Sequence, residues 1–219
     1  FLARSTDSIT ANGSSFNDVR IREGSPIRGG TYDSSFLYRD MVVIDAGTID
    51  DDLTDFPVYI DLSDLSPAFW ATTPSGASLV GTDIRVTTGT SSPYEIPHEL
   101  VFATTTLEAG ELHFKAPLIS STTDTIFRIY FNGTTTGDYA DSATYGAQNV
   151  WTNGYEAVYH FQSNPTGGAG DLVDSTQYGN DGSSLGSMSN AVAGAYGNSW
   201  NFDGVNDYVD LPSLVNDST

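Results

Sequence analysis

The sequence contains no cysteine in its 219 residues. Disulfides, thiolate metal sites and cysteine nucleophiles are excluded, so stability must come from core packing or from metals. Positive charge is also scarce. Lys115 is the only lysine, and the basic residues number 8 against 28 acidic ones, for a net charge of −20. A surface of that sign repels phosphates, which excludes nucleic-acid binding through a basic footprint. No apolar run approaches the roughly 18 residues that a membrane helix needs. No long stretch repeats with the 3.6-residue period of an amphipathic helix. No signal peptide is visible, and Phe1 stands where a Met would, so we expect a piece of a longer chain.

What is present is acid, aromatic and small polar. Asp supplies 22 of the 28 acidic residues. Three explanations stay open: Asp-rich loops that bind Ca²⁺ through oxygen ligands, adaptation to salty water where charges are screened, and plain solubility. Aromatics at 12% and hydrophobic residues at 38% suffice for a core. Charged residues reach only 16%, and Ser, Thr, Asn and Gly carry the remaining polarity, which suits β-surfaces and turns.

Along the chain, residues 1–35 read as an extended arm with one short strand at FNDVRIREG (16–24). The arm carries Arg4, Arg20, Arg22 and Arg28, which could dock on a neighbour or on the acidic body. Residues 36–145 read as successive strands: FLYRDMVVIDAG (36–47), FPVYIDLS (56–63), TDIRVTTG (82–89), YEIPHELVFA (94–103), GELHFKAPL (110–118) and TIFRIYFNG (125–133). Apolar residues alternate along them and turn residues separate them. LSDLSPAFWATTP (62–74) has room for one helical turn. The expected fold class is all-β, an antiparallel β-sandwich of jelly-roll type. A second region begins near residue 146. VWTNGYEAVYHF (150–161) predicts a strand with Ala157, Tyr159 and Phe161 on one side and Glu156, Val158 and His160 on the other. A Gly-rich loop (165–190) follows, then strand-like WNFDG and DYVDL.

Several of these motifs, in order, resemble a known family. YRDMVVID (38–45), LTDFPVYIDLSDLSPAFW (53–70), GTDIRVTTG (81–89), PYEIPHELV (93–101), GELHFKAPLIS (110–120) and IFRIYFNG (126–133) are similar to the DUF2341 domain, over about residues 36–145. VWTNGYEAVYHF, DSTQYGNDG (174–182) and FDGVNDYVDLP (202–212) resemble the opening strands of a concanavalin A-like, laminin-G-type lectin domain, over about 150–219. The resemblance implies a partial second sandwich, which would leave an open strand edge and an uncovered apolar face for missing chain or a partner to cover. It also implies a secreted, cell-surface or virion setting, such as a tail, fibre or decoration protein.

The acidic loops are the first candidates for chemistry. DLVDSTQYGNDG offers Asp171, Asp174, Asn180 and Asp181, and FDGVNDYVD offers Asp203, Asn206, Asp207 and Asp210. The lectin resemblance implies a Ca²⁺ site near them, with Asp174 and Asp207 the preferred carboxylates and Asp203 and Asn206 beside them. Against this stands the plain reading that Asp and Asn close turns through their own side chains. An EF-hand loop is missing. Glu95 and Glu99 flank His98 as a carboxylate pair, but on one extended strand they would stand about 13 Å apart, beyond the roughly 5–10 Å of a glycosidase, unless Pro97 bends the chain. His98, His113 and His160 lack paired zinc spacing, and no G-x-S-x-G elbow exists. His160 falls on the lectin strand motif and is expected to hold a loop. Trp70, Trp151 and Trp200 could stack on sugars, but each also sits in a core-like motif. Asn12, Asn132 and Asn216 begin formal glycosylation sequons.

No catalytic residue is assigned. The expected function is a non-catalytic structural or adhesion module of an extracellular or virion assembly. Its partners would be copies of itself or neighbouring subunits, with glycans as possible ligands and neither nucleic acid nor a membrane span. The alternative is a Ca²⁺-dependent carbohydrate-binding accessory region of a secreted glycan-degrading enzyme.

Overall fold

The structure, a computed structural model, describes residues 9–11, 14–16, 19–26, 32–72, 83–133, 137–186, 188, 191–194 and 197–213. It is all-β, as the alternating pattern predicts. The short strands β1 (Ile9–Ala11) and β2 (Ser14–Phe16) pair antiparallel. Then come β3 (Val19–Pro26), β4 (Phe36–Ile44), β5 (Leu53–Asp61), the short helix α1 (Pro67–Thr72), β6 (Arg85–Thr88), β7 (Tyr94–Ile96), β8 (His98–Thr104), β9 (Ala109–Ile119) and β10 (Thr125–Gly133). These strands make two antiparallel sheets, one in the order β3-β4-β10-β6-β7 and one in the order β5-β9-β8.

The two sheets face each other across a single core, because alternate residues of each strand point inward. Val58 and Ile60 of β5 and Leu112, Phe114 and Ala116 of β9 meet Val42, Ile44, Val86, Phe127, Ile129 and Phe131 of the larger sheet. Phe69 of α1 closes one end, stacked edge-on against Phe131 with centroids 5.2 Å apart. The backbone N–H of Ser66, just before α1, donates to the buried carboxylate of Asp40 at 2.8 Å, which fixes that corner. Each fully buried Phe, Leu or Ile contributes about 1.5–3 kcal/mol of apolar transfer.

Two sequence expectations change within the sandwich. Part of the predicted arm belongs to the sandwich: β3 pairs with β4, with Val19 opposite Ile44, as an edge strand. Arg4 and Arg28 fall outside the described residues, as do Asn12 and Asn216. The second change concerns YEIPHELVFA, which is two strands and not one. Pro97 cannot donate to a ladder, and there the chain leaves the five-stranded sheet and enters the three-stranded one.

The C-terminal third contains little regular structure. It has β11 (Ser183–Leu185) paired with β14 (Tyr208–Asp210), and β12 (Val192–Ala193) paired with β13 (Asn198–Ser199). The strand expected within 150–161 is absent; this stretch turns and bends up to Glu156, runs on irregularly and joins no ladder. Its alternation survives all the same. Tyr159 and Phe161 pack with Leu172, Met188 and Trp200 in a second small core, while His160 turns to the sandwich. The backbone of Val158 explains the missing ladder: its N–H donates to the Asp174 carboxylate at 3.0 Å and its C=O accepts from Ser175 at 2.9 Å. A side chain takes the place of a neighbouring strand. Along the last segment Phe202, Val205, Tyr208 and Leu211 are exposed.

Candidate functional site

The outer face of the three-stranded sheet carries the most concentrated set of reactive side chains. Leu112 and Phe114 point into the core, so the period of two turns Glu111, His113 and Lys115 outward along β9. Pairing places Tyr59 of β5 and Glu99 of β8 directly opposite His113. The three side chains form a row across the sheet.

Residues 150–176 lie over this row and are tied to it by side chains. The indole N–H of Trp151 donates to Glu99 Oε2 at 2.5 Å, and the Ser175 hydroxyl donates to Glu99 Oε1 at 2.6 Å. His160 Nε2 sits 3.2 Å from Glu99 Oε2, while its Nδ1 sits 3.5 Å from Glu111 Oε1. His113 Nε2 lies 2.7 Å from the same Glu111 oxygen. Lys115 Nζ donates to Thr152 Oγ1 at 2.9 Å, and Asn153 Nδ2 to the Thr54 carbonyl at 3.2 Å. The His113 ring stands 5.0 Å from Trp151 and 5.3 Å from His160.

The electrostatics follow from this packing. Burial opposes charge on Glu111, but hydrogen bonds from His113 and His160 and their positive charge outweigh it and bring the carboxyl down to about 2. Burial likewise opposes charge on His160, yet its hydrogen bonds to Glu111 and Glu99 raise the imidazole to about 9. At neutral pH His160 is an imidazolium held between two carboxylates.

Glu95, the other member of the sequence's carboxylate pair, lies elsewhere. Because the chain changes sheets at Pro97, Glu95 and Glu99 occupy different polar clusters and do not flank one cleft. Glu95 Oε1 is 3.6 Å from Arg85 Nε, and Glu95 Oε2 accepts from the hydroxyls of Tyr32 and Tyr139. The Arg85 guanidinium lies 4.3 Å over the Tyr139 ring. His98 is buried at the start of β8, with Nε2 3.8 Å from Asp138. All three tryptophans serve packing: Trp151 and Trp200 are buried, and Trp70 lies against the main core.

No family model matches this chain, and no curated protein or solved structure matches it either.

The residues singled out for Ca²⁺ fall into two separate turns. Asp174 is 5% exposed, and both its oxygens are engaged. Oδ1 accepts from the N–H groups of Val158 and Thr176, and Oδ2 from the Thr176 hydroxyl and the Asn180 N–H, all within 2.7–3.0 Å. Burial opposes its charge, but these bonds keep its carboxyl below the usual range. Asp203 Oδ1 accepts from the N–H groups of Val205, Asn206 and Asp207, and Asp207 Oδ2 accepts from the Asp203 N–H. As arranged, these donors do not fit a calcium ion, which needs six to eight converging oxygens. Among the described residues, the set of three His, Asp or Glu groups whose ligand atoms lie within 4.8 Å of one another is Glu111, His113 and His160.

Sequence reasoning missed that set because 47 positions separate its histidines. The outward phase of β9 was a signal for Glu111 and His113. No pattern in the sequence brings His160 to them. A separate open cleft of about 640 Å³ lies between the β8–β9 turn and residues 191–194 and 197–198, lined by Phe102, Leu107, Gln162, Val192 and Asn198 among others.

Proposed function

We propose that this chain is a non-catalytic structural module of an extracellular or virion-surface assembly, in which a β-sandwich carries a lectin-like segment as one building unit. The observation that supports this most is the Glu99 joint. A buried carboxylate that could have served chemistry is consumed by three donors, Trp151, Ser175 and His160, that fasten the C-terminal segment to the sheet. Glu95 is likewise engaged by Arg85, Tyr32 and Tyr139. Glu95 and Glu99 lie in different sheets and do not face each other across a cleft, as a glycosidase pair must, and the His160 ring fills the space between Glu99 and Glu111. The resemblance to DUF2341 and lectin-like domains agrees with such a role, and so does the exposed apolar run of the last segment, which offers a surface to neighbouring subunits or further copies.

The test is assembly. Light scattering and electron microscopy of the purified chain should give oligomers or filaments of regular symmetry. A persistent monomer that binds or cleaves glycans would overturn the reading. The alternative, a carbohydrate-binding accessory region, draws on the cleft beside β12 and β13. A glycan array separates the two, because the structural reading requires no saturable binding there.

A further inference from the structure

We propose that Glu111, His113 and His160 form a binding site for a zinc-class divalent cation, which locks the C-terminal segment onto the sandwich. The proposal rests on the Glu99 joint and gives it a ligand.

The donor chemistry is that of zinc. Two imidazole nitrogens and one carboxylate oxygen are a recurrent three-ligand set, with a fourth position left for water. Nitrogen donors of this kind favour Zn²⁺, Ni²⁺ or Cu²⁺ over Ca²⁺ and Mg²⁺, which prefer all-oxygen cages. The spacing is suitable too. Ligands bonded at about 2.0–2.1 Å in a tetrahedron stand roughly 3.3 Å apart. Glu111 Oε1 lies 2.7 Å from His113 Nε2 and 3.5 Å from His160 Nδ1, values that bracket this edge. All three ligand atoms fall within 4.8 Å of one another and are partly buried.

A second observation makes this more than a cluster of polar groups. Metal-bound histidines usually donate their other ring N–H to a carboxylate, which fixes the tautomer and the ring. Glu99 stands in that position, 3.2 Å from His160 Nε2, so the ring aims Nδ1 at Glu111 and His113. Glu99 is itself held by Trp151 and Ser175. The orienting partner of His160 is in place without the metal. When the cation arrives, His160 gives its Nδ1 proton to solvent, keeps the Nε2–H bond to Glu99 and offers the Nδ1 lone pair. His113 likewise offers Nε2 and carries its proton on Nδ1. Glu99 and Glu111 bring two negative charges, which a dication balances.

The experiment uses the full chain without an affinity tag, stripped with chelator and titrated with Zn²⁺ by calorimetry. Co²⁺ serves as a visible-absorption probe of tetrahedral geometry. Saturation at one Zn²⁺ per chain is expected, with a tetrahedral Co²⁺ spectrum. His160→Ala and His113→Ala should abolish both. Glu99→Gln should bind about 10–100-fold more weakly, the usual loss when an orienting partner is changed. Hydrogen exchange of the Trp151 indole N–H in the metal-free chain reports the joint alone. A protected indole with no stoichiometric Zn²⁺, or Zn²⁺ bound equally by the His160→Ala variant, would overturn the metal site and leave the joint standing. An unprotected indole that becomes protected when Zn²⁺ binds would support the site while removing the claim that the joint is rigid without it. An unprotected indole with no Zn²⁺ binding would remove both.

Discussion

Mild acidification should cost this protein stability at His98. Its ring is buried beneath Tyr139, with centroids 6.0 Å apart, and its backbone N–H is tied to the Tyr145 carbonyl at 3.1 Å. Burial, reinforced by the positive charge of Arg85, lowers its pKa to about 4. Asp138, 3.8 Å away, gives little relief, because burial raises its own pKa and weakens its charge as pH falls. The unfolded chain protonates this histidine near the ordinary value of about 6.5. The native state resists the proton until about 4, so stability is intact above 6.5 and is lost as pH falls between those two values. At about 1.36 kcal/mol per decade, the full loss is about 3 kcal/mol, of which about 2 kcal/mol appears between pH 7 and pH 5. Small domains hold only about 5–15 kcal/mol in total, so the effect is readily measured. Urea melts at pH 7, 6 and 5 would compare the wild type with His98→Gln. The wild type should lose about 2 kcal/mol more than the variant over that range. NMR of the imidazole provides a readout that survives a poorly folded variant, since His98 should remain neutral at pH 5. Equal slopes in the two proteins, or a His98 titration near 6.5, would refute the reasoning.

Two further outcomes follow from the buried carboxylates. Glu99→Ala strands the Trp151 indole N–H, the Ser175 hydroxyl and the charged His160 together, and should cost about 3–5 kcal/mol in a urea melt; a loss under about 1 kcal/mol would mean that the joint is not formed in solution. Asp174→Ala removes the acceptor of four hydrogen bonds and should open the 166–181 loop to limited proteolysis, with cleavage there and not in the sandwich. Millimolar Ca²⁺ should move the melting temperature by no more than about 1 °C, as expected for a dissociation constant no tighter than the added ion. A rise of several degrees that Asp174→Asn or Asp207→Asn abolishes would restore the calcium cage.

The sandwich was legible in the sequence because a strand's facing is a local property. The alternation Leu112, Phe114, Ala116 against Glu111, His113, Lys115 tells which side chains enter the core before any partner is known. The same locality explains the misreadings. YEIPHELVFA has one continuous pattern, and the change of sheet at Pro97 depends on which strands lie nearby. That change separates Glu95 from Glu99, which the sequence set on one face. In VWTNGYEAVYHF the alternation set Tyr159 and Phe161 apart from His160, as found, but the hydrogen-bond partner of Val158 is a side chain 16 residues away, so no ladder forms. The Glu111, His113 and His160 cluster is a product of tertiary docking alone, and motif spacing had no means of showing it.

One consequence of the composition concerns salt. With 8 basic residues against 28 acidic ones, the chain cannot pair every carboxylate with a cation. Neutral donors serve its buried ones: the Ser66 N–H on Asp40, the Gly133 N–H on Asp83, two tyrosine hydroxyls on Glu95 beside Arg85, and backbone and threonine groups on Asp174. Bonds of this kind, made away from water, are little screened by dissolved ions, whereas repulsion among the exposed acids acts through solvent and is screened strongly. Raising NaCl from about 0.1 M to 1 M shortens the screening length from about 10 Å to about 3 Å. It should therefore remove repulsion while leaving the internal ties in place, and the melting temperature should rise. The rise should be nearly as large in Glu99→Gln as in the wild type, since the joint is not what salt acts on. A fall in melting temperature with NaCl would mean that exposed ion pairs, and not neutral donors on buried carboxylates, hold this fold together.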